Sequence, residues 1–226
     1  MPEGAGKRDN GIPYASFGLV WKEFGEKIAG GKAEAEIIDN ILVQPLDAHD
    51  NGVLIADDRI EGVHDYTLND FLYSYLPRPR PDNEGIYKIF MELIVIAKEL
   101  IGREVAKAKE VVEGENKVLD IYEKSPDKRV ILLEEDLPWK KLFAKKKEVL
   151  FVVHPRPDGH WSVRTVQETG YTPRKPLPAA WGGKAGEELQ QTTGIEDAIF
   201  CHRALFMAAA VSKESALKLA NLALNA

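Results

Sequence analysis

The residues best able to do chemistry lie close together in Val43-Gln44-Pro45-Leu46-Asp47-Ala48-His49-Asp50-Asn51-Gly52, where two carboxylates and an imidazole fall within four positions. If Asp47 opens a helical turn, Asp50 follows at i+3 and the two carboxylates share a face. Clustered carboxylates repel, and a cation usually keeps them ionised. Hard, oxygen-coordinated ions such as Mg²⁺ or Mn²⁺ suit such a pair. The plainer reading makes Asp47 and Asp50 solvated turn and capping residues, with Asn51-Gly52 supplying a tight reversal.

Other reactive groups are dispersed. His49, His64, His154, His160 and His202 are not spaced with a cysteine or with one another as a zinc site requires. No Gly-x-Ser-x-Gly elbow occurs, and Gly4-Ala5-Gly6-Lys7 lacks the rest of a phosphate-loop fingerprint. Cys201 and His202 are neighbours in a strand-like segment, so one is expected in the core and the other outside it. Arg164, Arg174, Lys175, Arg203 and Lys213 make the second half rich in cations. Guanidinium groups suit phosphate, so these residues form either a phosphate-holding cleft or a scattered basic surface. Trp161 and Trp181 could stack bases, but core filling is the commoner use.

The elements that must position these groups change character along the chain. Apolar spacing predicts a helix from Tyr14 through Phe24, with Ser16 as N-cap and Gly25 or Gly30-Gly31 as its end. A second helix is expected over 33–44, ended or bent by Pro45 directly before the acidic stretch. Thr67 should cap a short helix, and Pro77-Arg78-Pro79-Arg80-Pro81 reads as a stiff connector. The longest helical pattern covers 84–113, stopped by Gly114, with another helix over 118–122. From Arg129 the period shifts to strands near 130–133, 149–153, 161–167 and 198–202. A helix at 187–191 and a last one at 213–224, capped by Ser212, complete a sheet covered on at least one side. The fold class is therefore α/β (α+β).

Composition narrows the function classes. A chain of 226 residues with a net charge of −6 is poorly suited to coating long nucleic acid, though a local basic cleft remains compatible with it. One cysteine excludes an intramolecular disulfide framework and fits a reducing compartment. No apolar run is long enough to cross a bilayer and the N-terminus lacks a signal-peptide core, which together predict a cytoplasmic protein.

Several separated segments resemble the Myg exonuclease family, metal-dependent phosphoesterases related to the DHH superfamily. They are Asn10-Gly11-Ile12-Pro13-Tyr14-Ala15-Ser16-Phe17-Gly18-Leu19-Val20-Trp21-Lys22, the Asp47–Gly52 stretch, Arg174-Lys175-Pro176-Leu177-Pro178-Ala179-Ala180-Trp181, Gly194-Ile195, Ile199-Phe200-Cys201-His202 with Phe206, and Ser215-Ala216-Leu217. The resemblance implies a helical remnant of a DHH-like domain at 1–80, connecting helices at 81–127, and a smaller sheet-plus-helices substrate-binding domain at 128–226. It implies Asp50 as a catalytic metal ligand with Asp47 beside it, Mn²⁺ or Mg²⁺ as cofactor, and Arg174, His202 and Lys213 on the substrate side. RNA or a short oligonucleotide is the implied ligand. The family's His-x-Asp and Asp-His-His segments have no counterpart, so the chain is expected to be a C-terminal portion, inactive alone. A homo-oligomer, or a partner chain carrying the missing motifs, is expected with it. The alternative is a non-catalytic nucleic-acid-binding or interaction module. Ala208-Ala209 stand where many relatives have Gly-Gly, which would hinder close backbone approach to a phosphate there.

Overall fold

The computed structural model describes residues 6–57, 59–170 and 172–226, so part of the glycine-rich start, at residues 4 and 5, lies outside the described residues. The chain divides into two compact units, 1–112 and 113–226.

The first unit is helical. Helix α1, Ser16–Ala29, begins at Ser16 rather than after it, with Ala15 as an N-cap that offers no side-chain bond. Gly30, at φ 91°, takes the left-handed conformation that closes the helix, while Gly25 lies inside it. Gly25 is small because of a neighbour: a β-carbon there would stand 2.8 Å from the Trp21 ring. Helix α2, Lys32–Ile38, passes through a π-helical turn, Asp39–Val43, directly into α3, Gln44–Asp50. Pro45 therefore does not end the helix. It has no N–H to donate and its ring would collide with the carbonyl four residues back. The widened turn, in which Gln44 N donates to Asp39 O, absorbs that conflict. Trp21, Ala29, Ile38, Val43 and Ala108 form the buried centre of this unit, with Ile101 and Val105 packed on it. Thr67 caps α4, Leu68–Ser74, in a reciprocal capping box with Asp70.

Helix α5 runs unbroken over Asn83–Lys124. Gly114 does not stop it. A β-carbon at Gly114 would lie 2.5 Å from Pro138 Cδ, so this glycine permits a close approach and does not terminate the helix. Near its start, Tyr87, Phe90, Met91 and Val95 are exposed. No described helix is long and apolar enough to cross a membrane.

The second unit is an α/β layer structure. Strands β1 (Val130–Leu132), β2 (Phe151–Pro155) and β3 (Trp161–Thr165) precede β4 (Gln167–Thr169) and β5 (Thr172–Pro173), and β6 (Ala198–Cys201) and β7 (Met207–Ala210) follow. The main sheet has the order β1-β2-β3-β7-β6, parallel between β1 and β2 and antiparallel elsewhere. A short helix, α6 (Lys140–Lys145), precedes β2, and α7 (Glu187–Thr193) precedes β6. The last helix, α8 (Lys213–Asn225), starts at Ser212, whose side chain accepts from Ser215 N. Strand alternation gives the sheet two unlike faces. Val153, Val163, Ala208 and Cys201 point into a core shared with Leu219, Ala220 and Ala223 of α8. On the other face Val152 packs with Val118, Tyr122, Trp139 and Phe143.

Candidate functional site

The acidic stretch is positioned by α3, but its two carboxylates do not share an environment. Asp47 is fully buried. Its Oδ2 accepts from Arg8 Nη1 at 2.7 Å and its Oδ1 from the Gly18 backbone N–H at 2.9 Å. Arg8 also donates to Asp39, through Nη2 at 2.8 Å and Nε at 3.2 Å, and lies 4.2 Å above the Tyr14 ring. Burial alone would lower the Arg8 pKa, but hydrogen bonds and attraction from Asp39 and Asp47 outweigh it and raise it. Gly18 makes the contact feasible, because a β-carbon there would sit 1.8 Å from Asp47 Oδ2. Asp47 therefore ties the loop before α1 and α1 itself to α3.

Asp50 is exposed at the last turn of α3, as is His49. Asn51 donates to Asp47 O, and Gly52, at φ 68°, completes the turn. Among the described residues no three His, Cys, Asp or Glu side chains come together closely enough to hold a metal ion. Asp47 has both oxygens in use and Asp50 stands apart from it. The described residues therefore do not fit a Mn²⁺ or Mg²⁺ centre by themselves.

In the second unit the expected substrate-side residues separate. Arg174 is turned inward, its side chain only 5% exposed. Its Nη1 donates to the carbonyls of Phe143, Lys146 and Val149 and its Nη2 to that of Ala144, while Nε meets Glu168 at 2.8 Å. Those donors hold the end of α6 and the following turn, which leaves only the second Nη2 hydrogen without an acceptor among the described residues. Lys213 lies on the α8 side of the sheet, 3.2 Å from Glu134 and 5.9 Å from the Trp161 ring centre. His202 is exposed, accepts from Ala204 N through Nδ1 at 3.0 Å, and has its ring 4.4 Å from that of Phe206. Cys201, its neighbour, is buried, which pushes the thiol pKa up to about 11.

Phe206 leads to the cleft that the sheet presents on the face away from α8. About 590 Å³ in volume, it is lined by Trp139, Lys140, Arg164, Gln167, Ala204 and Phe206 among others. Arg164 is its centre. Half-buried, it has no hydrogen bond or ion pair among the described residues, and its guanidinium lies 5.7 Å from the Phe206 ring centre. Burial first, and then the charge of Arg156, lower its pKa, while Asp136 opposes them. A half-desolvated guanidinium beside a lysine and an aromatic ring has the chemistry to receive an anion and to stack a planar group. The alternation of Trp161, Val163 and Thr165 contains the signal for it, since it leaves Ser162 and Arg164 on the opposite face. Arg8 gives no such local signal, because its partner Asp47 is 39 residues away. Ala208 and Ala209 are buried in β7, where both pair with β3.

The fold and this cleft define an α/β protein whose sheet carries a basic, aromatic-edged cleft. The sequence profile described as MYG1_exonuc, Uncharacterised protein family (UPF0160), matches residues 4–224, and the chain belongs to that family. It is 30% identical over 200 residues to the MYG1 protein of Chlamydia trachomatis, covering 84% of this chain and 65% of that protein. To the MYG1 exonuclease of Rattus norvegicus it is 28% identical over 239 residues, covering 91% and 61%. To the MYG1 protein of Dictyostelium discoideum it is 28% identical over 246 residues, covering 95% and 73%. The chain thus spans less than two thirds of the length of the first and second of these relatives.

Proposed function

We propose that this chain is the strand-holding part of a nuclease acting on RNA, with the Arg164 cleft receiving a phosphate at the end of the strand. The observation that carries the reading is a half-buried guanidinium with no hydrogen-bond or ion-pair partner among the described residues, in a cleft edged by Lys140 and Phe206. The exonuclease name of the rat relative supports the nuclease class. Asp50 would contribute one carboxylate towards a Mn²⁺ or Mg²⁺ whose remaining ligands lie outside the described residues. The exposed apolar residues near the start of α5 support association with a second copy or another chain. Asp47 serves as a positioning residue for the turn that presents Asp50.

Binding of AMP and of a short oligoadenylate to the purified chain, followed by fluorescence anisotropy competition, tests the cleft. Arg164→Ala should weaken AMP binding about tenfold to a hundredfold, the worth of a charge-assisted phosphate contact. Affinity unchanged in a folded Arg164→Ala protein would reject the assignment. The reading as a binding part is tested separately with added Mn²⁺. Release of nucleotides from RNA by the chain alone would show that it needs no partner.

A further inference from the structure

The face of the sheet that carries Arg164 extends beyond the cleft. Strand pairing sets His154 opposite Ser162, Ser162 opposite Ala209, and Ala209 opposite Phe200. These four side chains form one cross-strand row, and Arg164, two residues on from Ser162, stands on the same face. The opposite row, Val153, Val163, Ala208 and Cys201, is sealed beneath α8. Ser162 and Ala209 are buried within this row; at its far end Phe200 is half-buried, and the guanidinium of Arg156, from the β2–β3 turn, lies 5.8 Å from its ring centre. Arg156 is fixed to that turn by Asp158, at 2.8 Å. The face therefore repeats one device, an arginine poised over a phenylalanine, at 5.7 Å for Arg164 and Phe206 and 5.8 Å for Arg156 and Phe200.

Two further observations point to a ligand on this row. Ser162 Oγ and His154 Nε2 are buried and have no hydrogen-bond partner among the described residues. The protein alone thus leaves polar atoms unsatisfied between the two arginine–phenylalanine pairs. The two arginines also sit near enough for the charge of Arg156 to act on Arg164, a repulsion that a polyanion laid between them would relieve.

We propose that Phe200 and Arg156 form a second nucleotide subsite, continuous with the Arg164 cleft, for single-stranded RNA. A base enters between the phenyl ring and the guanidinium, which must part from 5.8 Å to about 7 Å to admit an aromatic plane at ordinary contact distance on each side. To allow this Arg156 must loosen its bonds to Asp158, which hold it at the turn. In the sheet β6 is two strands from β3 and Arg164 lies two residues beyond the row, so Phe200 and Arg164 are offset by about 10 Å across the strands and about 7 Å along them, roughly 12 Å in all. An extended dinucleotide with its 5′ phosphate at Arg164 reaches that far with its second base. Stacking of this kind is indifferent to base identity, so the subsite measures strand length and does not read sequence. The proposal rests on the cleft reading given above.

The test is the ratio of affinities of the full chain for 5′-phosphorylated diadenylate and for AMP. In the wild-type protein diadenylate should bind about tenfold more tightly. Phe200→Ala and Arg156→Ala should each bring the ratio close to one, and Phe200→Trp should keep it, because the stacking plane survives. If Phe200→Ala fails to fold, Arg156→Ala and Phe200→Trp decide. Equal affinities in the wild type, or a tenfold gain that persists in Arg156→Ala, would overturn the second subsite and leave the cleft intact. AMP affinity indifferent to Arg164→Ala would overturn the cleft reading and this proposal together.

Discussion

Replacing Arg174 with alanine should unfold the second unit more readily without the loss being traceable to a ligand. Its guanidinium meets four backbone carbonyls, those of Phe143, Ala144, Lys146 and Val149, at 2.6–3.2 Å. Three of the four share Nη1, which has two hydrogens, so the set amounts to about three full bonds. Phe143 O and Lys146 O retain backbone donors from Lys146 N and Val149 N. At roughly 1 kcal/mol net for each bond, with an added charge where α6 ends, the loss comes to about 3–5 kcal/mol. The ion pair to half-exposed Glu168 adds less than about 1 kcal/mol. Arg174→Lys should recover less than half, because a single ammonium cannot span carbonyls on both sides of the turn. Urea unfolding followed by tryptophan fluorescence measures this, with Trp139 adjoining α6 as a local reporter. A change below about 1 kcal/mol, together with a tenfold loss in AMP affinity, would refute the reasoning and return Arg174 to the substrate side.

Arg8→Ala should cost the first unit about 3–5 kcal/mol in denaturant unfolding, because it strands the buried Asp47 carboxylate without its cation. Gly114→Ala adds a better helix former yet should destabilise by about 1–3 kcal/mol, since the new methyl meets the Pro138 ring; a gain in stability would restore Gly114 as a mere helix break. His154, with its pKa lowered chiefly by burial, is held neutral in the fold and binds its proton more readily when unfolded. Its contribution is therefore complete above its ordinary value near 6.5 and is lost as pH falls from there through the lowered folded value, so His154→Gln should flatten that slope in pH-dependent melts.

Much of the fold is legible where local chemistry and tertiary context agree. The Thr67 and Ser212 caps, the strand periods after Arg129 and the burial of Cys201 beside an exposed His202 all follow from residue type and spacing. The departures have specific causes. Pro45 reads as a helix end, but a π-helical turn supplies the extra residue that the missing N–H requires. Gly25 and Gly114 read as stops, but Gly25 makes room for the Trp21 ring one turn back in its own helix and Gly114 for Pro138, which only the folded chain brings near. Asp47 and Asp50 read as one face of a turn, yet Arg8 draws the first inward across 39 residues and leaves the second outside. Spacing records which side chains follow one another around a helix, not which of them meets a distant partner.

The three arginines show how far residue type alone reaches. Arg8, Arg164 and Arg174 are equally good phosphate ligands as isolated side chains, and two of them are better shielded from water than the third. What separates them is the supply of acceptors. Arg8 has two carboxylates and Arg174 has four carbonyls and a carboxylate, so an arriving phosphate would have to displace bonds already made. Arg164 has an aromatic face and no acceptor among the described residues, and it has already lost part of its hydration. A phosphate binding there recovers solvation that folding removed, whereas one binding at either of the others must first undo a structural tie. Affinity for an anionic strand should therefore be concentrated on the least buried of the three, on the sheet face where Phe206 and Phe200 stand ready to stack.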